Sequence, residues 1–266
     1  QLNVDGKVKT VEFLYDGKTE TVETTFLLVN FGKNVLARLL GRPYAPDATH
    51  EGSVFKINML CRKLPALKVS QFSALDGFTG TFHLDEGYEA MKLSHRQASQ
   101  GQLPDKIPCE LYCHTLTDDS ILAPDLRQQG YQTLTLFALD TPWRLFEHDN
   151  HSLKRHAERK CLEGLNAWLA EPIEESLARN RDGTFCLESK SPVDIESELG
   201  HYRGNIFHGA LTFPFADSAS EAGTWGVETE WPNVFICGAS ARRGGAVSGI
   251  PGHNAAMKVL EILGKI

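Results

Sequence analysis

The chain contains 266 residues, of which 41% are hydrophobic and 23% charged, and its formal net charge is −7 at pH 7. This length can bury one large core or two moderate ones, and the acidic balance gives no electrostatic footprint for nucleic acid. No apolar run approaches the ~20 residues that a membrane-spanning helix needs, so we expect a globular, cytoplasmic protein whose sequence does not support membrane contact.

The beginning of the sequence is not the pattern of a native start. The first residue is Gln1 rather than Met, and a strand-like run begins soon after it at Val8. We therefore expect a longer polypeptide, whose missing end would also carry any targeting signal.

The cysteines indicate reduced thiols rather than disulfides. They lie far apart and mostly within apolar runs, where a cysteine behaves as a small hydrophobe. The six positions are Cys61, Cys109, Cys113, Cys161, Cys186 and Cys237.

Two clusters of cysteine or histidine residues raise the question of a metal site, and neither cluster has the spacing of metal ligands. Cys109, Cys113 and His114 lie in a strand-like stretch with no second ligand pair at zinc spacing, which favours buried thiols. The other cluster has no carboxylate–histidine signature and is typical of a solvated helix start; it consists of His148, His151 and His156. We predict no metal ligand.

The first part of the chain predicts a β-hairpin followed by a short helix. Two runs of alternating apolar residues, 8–15 and 20–29, flank Asp16-Gly17, which is a strong hairpin turn signal. Apolar residues at helical spacing follow over 35–40, and Gly41 then ends the helix.

The next strand carries a polar stripe. Residues 54–60 alternate with a period of two, which places Phe55 and Ile57 on one face and Lys56 and Asn58 on the other. A sheet face exposed to water is the favoured interpretation of this stripe, and a pocket lining is the alternative.

The remaining middle segments predict a sheet with helices on one side. Further strands are expected near 107–115 and 131–139, with a helix near 86–97. Residues 152–179 have a helical pattern that is interrupted near Pro172. A further helix is expected to start at Ser191-Pro192, where serine is the cap and proline is the first helical residue; both are typical positions.

The last part of the chain reads as a strand, a glycine-rich turn and a helix. The strand covers 234–237, the turn contains Gly244 and Gly245 among other glycines, and the helix opens near His253. Because glycine lacks a β-carbon, such a turn lets backbone N–H groups approach a ligand. The first helical turn adds unpaired donors, so anions and electron-rich carbonyls favour this place.

Two segments carry a resemblance to a known family. Residues 204–211 read Gly-Asn-Ile-Phe-His-Gly-Ala-Leu, and residues 237–256 contain the glycine-rich turn and the start of the helix. Together they resemble the C-terminal half of phytoene desaturase-related FAD oxidoreductases, in particular the branch of pyridine nucleotide-disulfide oxidoreductase domain-containing protein 2. The resemblance extends more loosely over the whole chain, including the opening hairpin and the strand that contains Lys56.

The resemblance implies a set of site residues. In that family the glycine-rich turn and helix lie against the flavin, and the segment that contains His208 approaches the ring where substrate enters. The cofactor-binding residues so implied are Gly238, Arg242, Arg243, Gly244, Gly245, Ala246, Val247 and Gly249. His208 and Lys56 are the catalytic candidates, for proton handling or substrate orientation, because both are ionisable and the family fold would turn them toward the ring.

Each of these candidates also has a structural interpretation. His208 is flanked by glycine and would hold its loop by a hydrogen bond, Lys56 would be a solvated strand residue, and Arg242-Arg243 would be an exposed basic pair. Many members of the family have His-Pro at the position of the two arginines, so contacts to flavin or substrate differ there.

One family motif is absent from the sequence. No Gly-x-Gly-x-x-Gly, the motif that cradles the FAD pyrophosphate in the N-terminal half of such enzymes, occurs anywhere in the chain. A P-loop is absent as well, which excludes a nucleotide-phosphate hydrolase that uses the final turn.

The sequence therefore predicts an α/β protein with an antiparallel sheet, as the C-terminal part of a two-domain FAD oxidoreductase fold. Residues 1–45 and 225–266 are expected to complete an FAD-binding domain, and 46–224 to form an α+β substrate domain. The predicted function is to line the flavin and substrate site of a dehydrogenase, desaturase or oxidase. Its substrate would be a small molecule, an apolar one among the alternatives.

A second hypothesis is a non-catalytic fragment or interaction module that binds no cofactor. Half of a cofactor cleft should bind FAD weakly, because contacts on both sides are needed to offset the entropy of holding a long ligand. On either hypothesis the chain alone is expected to be inactive, to pair with a missing N-terminal half or second chain, and to have a tendency to form homo-oligomers.

Overall fold

The computed structural model describes residues 2–4, 6–44, 50–209, 215–216, 218–243 and 247–266. The chain has a mixed α/β structure and divides into two compact units. Residues 1–50 and 196–266 form the first unit, and residues 51–195 form the second.

In chain order the elements are β1 Leu2–Val4, β2 Val8–Tyr15, β3 Lys18–Glu23, β4 Leu27–Val29, α1 Lys33–Leu39, β5 Phe55–Cys61, α2 Ala74–Phe78, β6 Phe82–Leu84, α3 Tyr88–Ser99, β7 Cys109–Tyr112, α4 Pro124–Gln128, β8 Gln132–Ala138, α5 Trp143–Phe146, α6 Asn150–Asn166, β9 Leu187–Lys190, α7 Pro192–Leu199, β10 Val234–Ile236 and α8 Ile250–Ile262.

The division differs from the predicted domain boundaries at 45 and 225. Residues 196–224 belong with the first unit, because hydrogen bonds tie them to it. The Asn34 side chain donates to the Gly200 carbonyl at 2.8 Å, and the Asn205 side chain donates to the His50 carbonyl at 2.9 Å. That the two units are FAD-binding and substrate domains stays a prediction.

The predicted hairpin is present in the first unit. β2 and β3 pair antiparallel from Tyr15–Lys18 outward, and β1 pairs with β2. Both turn residues have positive φ angles, 47° at Asp16 and 73° at Gly17, which suits the tight turn that joins strands of right-handed twist. The turn signal in the sequence therefore has a direct backbone cause.

The second hairpin run is shorter than predicted, because residues 20–29 form two strands rather than one. β3 ends at Glu23, and Thr24 Oγ1 then donates to the Phe26 carbonyl. The chain resumes as β4, which pairs in parallel with β10. This parallel pair lies in an apolar core that includes Leu36 of α1 and Ala255 of α8.

An antiparallel sheet of five strands forms the second unit, in the order β6-β7-β8-β5-β9. The alternation predicted for β5 is confirmed, since Phe55, Ile57 and Met59 are buried. α6 presents a buried stripe at helical spacing that packs into the same core. The stripe consists of Ala157, Cys161 and Leu165.

The helical pattern predicted over 152–179 is wrong beyond Asn166. There α6 ends, and the following segment pairs with residues 66–68 instead. Leu169 bridges Leu67, and the Ala170 N–H donates to the Ala66 carbonyl at 2.8 Å. Leu169 is buried by this pairing, whereas the neighbouring Trp168 is 48% exposed.

The cap of α7 was predicted correctly. The Asp194 N–H donates to Ser191 Oγ at 3.2 Å, and the Ser191 N–H donates to Asp194 Oδ2 at 3.0 Å. These reciprocal bonds form a capping box, with aspartate in the place of the usual glutamate.

The six cysteines are free thiols, as predicted, and four of them are buried. Within the described residues, no helix has both the length and the apolar character needed to cross a bilayer.

Candidate functional site

The glycine-rich turn begins where the parallel strand pair of the first unit ends. The Cys237 N–H still donates to the Val29 carbonyl at 2.9 Å, and the chain then turns, with the Ala241 N–H donating to the Gly238 carbonyl at 3.0 Å. Ser240 Oγ donates to the Phe31 carbonyl at 3.0 Å. These bonds hold the two strand ends, and the segments that follow them, side by side.

The close approach of Asn30 explains why position 238 is a glycine. A β-carbon at this position would lie 2.1 Å from Oδ1 and 3.1 Å from the backbone carbonyl oxygen of Asn30. The side chain of Asn30 can rotate, but the carbonyl oxygen belongs to the chain that leaves β4. The structure therefore gives Gly238 a packing role; the cofactor contact that the resemblance implies for it stays a prediction.

Beside this turn lies a cavity of about 310 Å³. Its lining comes from four segments of the first unit: the start of α1, the loop after it, the segment around His208 and the turn after β10. The lining residues are Lys33, Tyr44, His50, Phe207, His208, Gly209, Ala239, Ser240, Ala241 and Arg242.

Two residues that line the cavity, Lys33 and Arg242, carry cationic side chains. Burial lowers the pKa of the Lys33 ammonium group, and the positive charge of Arg242 lowers it further. The Arg242 guanidinium is paired with Glu221, with Nε and Oε1 2.7 Å apart. Lys33 has no carboxylate partner among the described residues, so its charge is available to an anion.

His208 lies at the same cavity, in a strained conformation. Its φ angle is 60°, and its ring lies 4.1 Å from that of His201, centroid to centroid. Burial lowers the pKa of His208, and the charge of His201 lowers it further. Burial also lowers the pKa of His201, against the opposing effect of a hydrogen bond that the ring donates to the backbone of Asn205. Both rings are therefore expected to be neutral at pH 7.

The two imidazoles also have unsatisfied nitrogens. In the part of the chain that the structure describes, Nδ1 of His201 and Nδ1 of His208 are shielded from solvent and have no hydrogen-bond partner. Buried polar atoms without partners are uncommon and are found at binding sites. A β-carbon at Gly32 would lie 3.2 Å from Nδ1 of His208, so the glycine avoids a tight contact with the His208 ring.

Arg243 does not line the cavity. Its guanidinium donates to the carbonyls of Thr224 and Glu221, the latter at 2.6 Å, and to Thr224 Oγ1 at 3.2 Å. The adjacent Arg242 N–H donates to the Gly226 carbonyl at 2.8 Å. In this structure Arg243 holds the loop that precedes β10, while Arg242 lines the cavity.

The other residues implied for the cofactor lie further along the turn. Gly244, Gly245 and Ala246 lie outside the described residues. Val247 is fully exposed, and Gly249, with a φ angle of 73°, directly precedes α8. α8 begins at Ile250, three residues before the predicted start at His253.

Lys56, the second catalytic candidate, belongs to the other unit and is described within it. Its ammonium nitrogen lies 5.4 Å from the centroid of the Phe137 ring, which favours a cation–π contact. Asn58 and Leu60, on the same face of β5, line an open cavity of about 510 Å³ together with Glu188 from β9, and Lys56 is not among its lining residues. The stripe thus lines a pocket at Asn58, which is the alternative that the sequence left open, but not at Lys56.

The sequence pointed neither to Lys33 nor to Asn233. Lys33 follows Gly32 directly after a predicted strand, the position at which a strand-to-helix turn approaches a ligand, and this signal was available. Asn233 has no local signature, because its side chain bonds with Val8 and Thr25, which lie far away in the sequence.

Cys109, Cys113 and His114, which the sequence analysis considered as zinc ligands, have other contacts in the structure. The His114 ring stacks on Tyr112 at 5.8 Å, and Cys113 Sγ contacts the hydroxyl of Thr115. Within the described residues, Cys109, Cys113 and His114 do not group as metal ligands.

Comparison with known proteins gives relatives over most of the chain. No family model matches. An uncharacterized protein of Mycobacterium bovis is 44% identical over 266 residues, which cover 98% of this chain and 49% of the relative. One of Mycobacterium tuberculosis has the same identity and coverage. The chain thus spans about half the length of the curated mycobacterial relatives it matches.

A more distant relationship reaches mammals. Pyridine nucleotide-disulfide oxidoreductase domain-containing protein 2 of Mus musculus is 27% identical over 224 residues, covering 80% of this chain and 36% of the mouse protein. The protein of the same name from Rattus norvegicus is 26% identical over 227 residues. The chain is therefore a distant homologue of pyridine nucleotide-disulfide oxidoreductase domain-containing protein 2 over about four fifths of its length.

Proposed function

We propose that this chain forms one wall of the flavin site of an FAD-dependent oxidoreductase of the dehydrogenase, desaturase or oxidase type. The name of the mammalian relatives supports the oxidoreductase part of the proposal. The cationic cavity at the end of the parallel strand pair supports the flavin part. The cytoplasmic location expected from the sequence is part of the same proposal.

The observation that carries the proposal is the position of Lys33. Lys33 lines one cavity with Arg242, whose charge lowers the pKa of the Lys33 ammonium group, and with the neutral imidazole of His208. Cations and N–H donors of this kind stabilise the electron-rich pyrimidine edge of a flavin, or a phosphate of the same cofactor. A bound flavin would supply the electron transfer, and these residues would orient it and balance its charge.

The size of the cavity fits part of the cofactor. About 310 Å³ is at the lower end of the range for ligand pockets, which is enough for a ring system but not for a whole dinucleotide. The sequence has no pyrophosphate motif, and the relatives are about twice as long. We infer that residues outside this chain complete the site.

In this proposal His208 donates or accepts a hydrogen bond at the flavin or the substrate. Its unpartnered Nδ1 is the specific observation in favour. Lys56 and Asn58 are proposed to belong to the substrate side, because they share one face of β5 and Asn58 lines the larger of the two cavities.

One observation favours the second candidate, an interaction module without a cofactor. The tip of the β2–β3 hairpin presents apolar side chains to solvent, with Leu14 75% and Tyr15 69% exposed. Such neighbouring apolar side chains mark protein contacts. On this hypothesis the chain self-associates through the hairpin and takes up no flavin.

Titration of the chain with FAD, followed by quenching of the flavin fluorescence, tests the proposal. We expect weak saturable binding, and a roughly tenfold weaker affinity for Lys33→Gln, because a hydrogen bond to a charged group contributes about 1.5–3 kcal/mol. Lys265→Gln is the matched control, since Lys265 is an exposed lysine of the same unit. Equal affinities of Lys33→Gln and Lys265→Gln would remove the cavity from the site. Absence of quenching together with self-association would favour the interaction module.

A further inference from the structure

A second polar cluster lies on β6 and β7 of the five-stranded sheet. The two strands pair antiparallel, and His83 lies directly opposite Glu110 in their register. Leu84 and Leu111 point into the core, so the period of two turns His83 and Glu110 to the other face. Glu86 follows two residues after the end of β6 and brings its carboxylate to the same place.

The three side chains present metal-ligand atoms to one another. A ring nitrogen of His83 and one carboxylate oxygen each of Glu86 and Glu110 all lie within 4.8 Å of one another. His83 Nδ1 contacts Glu86 Oε2 directly. The Tyr112 hydroxyl donates to Glu110 Oε2 at 2.5 Å and fixes the orientation of that carboxylate.

Within the described residues, the ion pair recorded for this cluster is the contact of His83 with Glu86, which balances charge only when His83 is protonated. Neither Glu86 nor Glu110 forms an ion pair there with a lysine or arginine; the neighbouring Lys106 pairs with Asp85, at 3.5 Å. Oε1 of Glu86 is shielded from solvent and has no hydrogen-bond partner among the same residues. A shielded carboxylate oxygen beside a second carboxylate is costly unless a cation lies between them.

We propose that His83, Glu86 and Glu110 bind a divalent transition-metal ion, with Zn²⁺ as the best fit. One imidazole nitrogen and two carboxylate oxygens suit zinc, which forms bonds of about 2.0–2.2 Å to both atom types. Water would complete the coordination, because His83 is exposed. Tyr112 acts from outside as a positioning residue through its bond to Glu110.

The sequence did not suggest this site, because its ligands belong to two strands and the loop after one of them. The spacing His83-x-x-Glu86 occurs by chance in many chains, and only the pairing of β6 with β7 adds Glu110. The stretch weighed for zinc in the sequence has three candidate ligands, Cys109, Cys113 and His114, but they do not group as ligands in the part of the chain that the structure describes.

A competition titration of the full chain with Zn²⁺ and a zinc-sensitive dye tests the proposal. We expect one zinc per chain, about 100-fold weaker binding for Glu110→Gln, and about tenfold weaker binding for Tyr112→Phe, which removes only the outer hydrogen bond. Glu86→Gln is a second ligand variant in a loop, for use if the strand variant fails to fold. His95→Asn is the control, because His95 pairs with Asp140, at 3.3 Å, and does not belong to the cluster.

The outcomes separate this site from other zinc-binding groups of the chain. Loss of binding in the two glutamine variants, with the His95→Asn affinity unchanged, supports the site. Undiminished binding in Glu110→Gln and Glu86→Gln would assign the ion to the thiols or to the other histidines and overturn the proposal. Failure of the wild-type chain to compete for zinc would also overturn it.

Discussion

Replacement of Asn233 by alanine is expected to lower the free energy of unfolding of the first unit by on the order of 3–5 kcal/mol. Asn233 is 4% exposed, and its side chain makes three hydrogen bonds to backbone groups. Oδ1 accepts from the Val8 N–H at 3.0 Å, and Nδ2 donates to the carbonyls of Val8 and Thr25 at 2.7 and 2.9 Å.

The size of the effect follows from what alanine leaves behind. Val8 is 1% exposed, so water cannot replace the lost partner of its N–H. Each buried group without a partner costs about 1–3 kcal/mol. The same side chain joins the start of β2 to the segment before β4, so the loss also loosens the strand pair that carries the cavity.

Denaturant unfolding combined with amide hydrogen exchange measures this effect. Exchange assigns the loss to the first unit, because a single unfolding curve does not distinguish the contributions of two units. Asn30→Ala is the control, because Asn30 is exposed. A loss no greater for Asn233→Ala than for Asn30→Ala would contradict the role of Asn233 as the central polar contact of this unit.

Substitution of Gly238 by alanine is expected to destabilise the same strand pair by about 1–3 kcal/mol. The added β-carbon would lie 3.1 Å from the carbonyl oxygen of Asn30, a backbone atom, and still closer to Oδ1 of that residue. Rotation of the Asn30 side chain relieves the second contact but not the first. The end of β4 must therefore move, and the wall of the cavity with it.

Gly252→Ala is the matched control for this substitution. Gly252 lies in α8, and a β-carbon there would meet only the Cys237 carbonyl oxygen at the ordinary distance of 3.8 Å. Because alanine is the better helix former, we expect this variant to be neutral or more stable by up to about 1 kcal/mol. Hydrogen exchange of the β4 and β10 amides compares the two. If these amides exchange as slowly in Gly238→Ala as in Gly252→Ala, the close approach of Asn30 does not restrict position 238 to glycine.

The predictions that succeeded rest on local signals. Asp16-Gly17 predicts the hairpin because its turn needs two adjacent positions with positive φ angles, and few residue types adopt such angles. The alternation in β5 predicts its buried face, since one face of the sheet packs on the core. Ser191-Pro192 predicts the start of α7, because a cap depends on residues within one turn.

The predictions that failed depend on distant partners. The stretch after Asn166 has helical spacing, but pairing with residues 66–68 overrides it. The run 20–29 looks like one strand, but residues 27–29 pair with β10, more than 200 positions away.

The candidate site is predictable only in part, for the same reason. Local glycine content and the resemblance pointed to the turn after β10, and Arg242 and His208 do line one cavity. The cation beside them, Lys33, comes from the other end of the chain and is brought there by the parallel pairing of β4 and β10. The close packing of Gly238 against Asn30 was not among the expectations, because it too joins distant parts of the sequence.

The most direct test of the proposed flavin site is an amide chemical-shift map of the chain during titration with FAD. The account predicts shift changes at Lys33, Ser240 and Ala241, which line the cavity, and none along α6. Changes confined to residues 51–195, or no change at FAD concentrations that quench the flavin fluorescence, would contradict it.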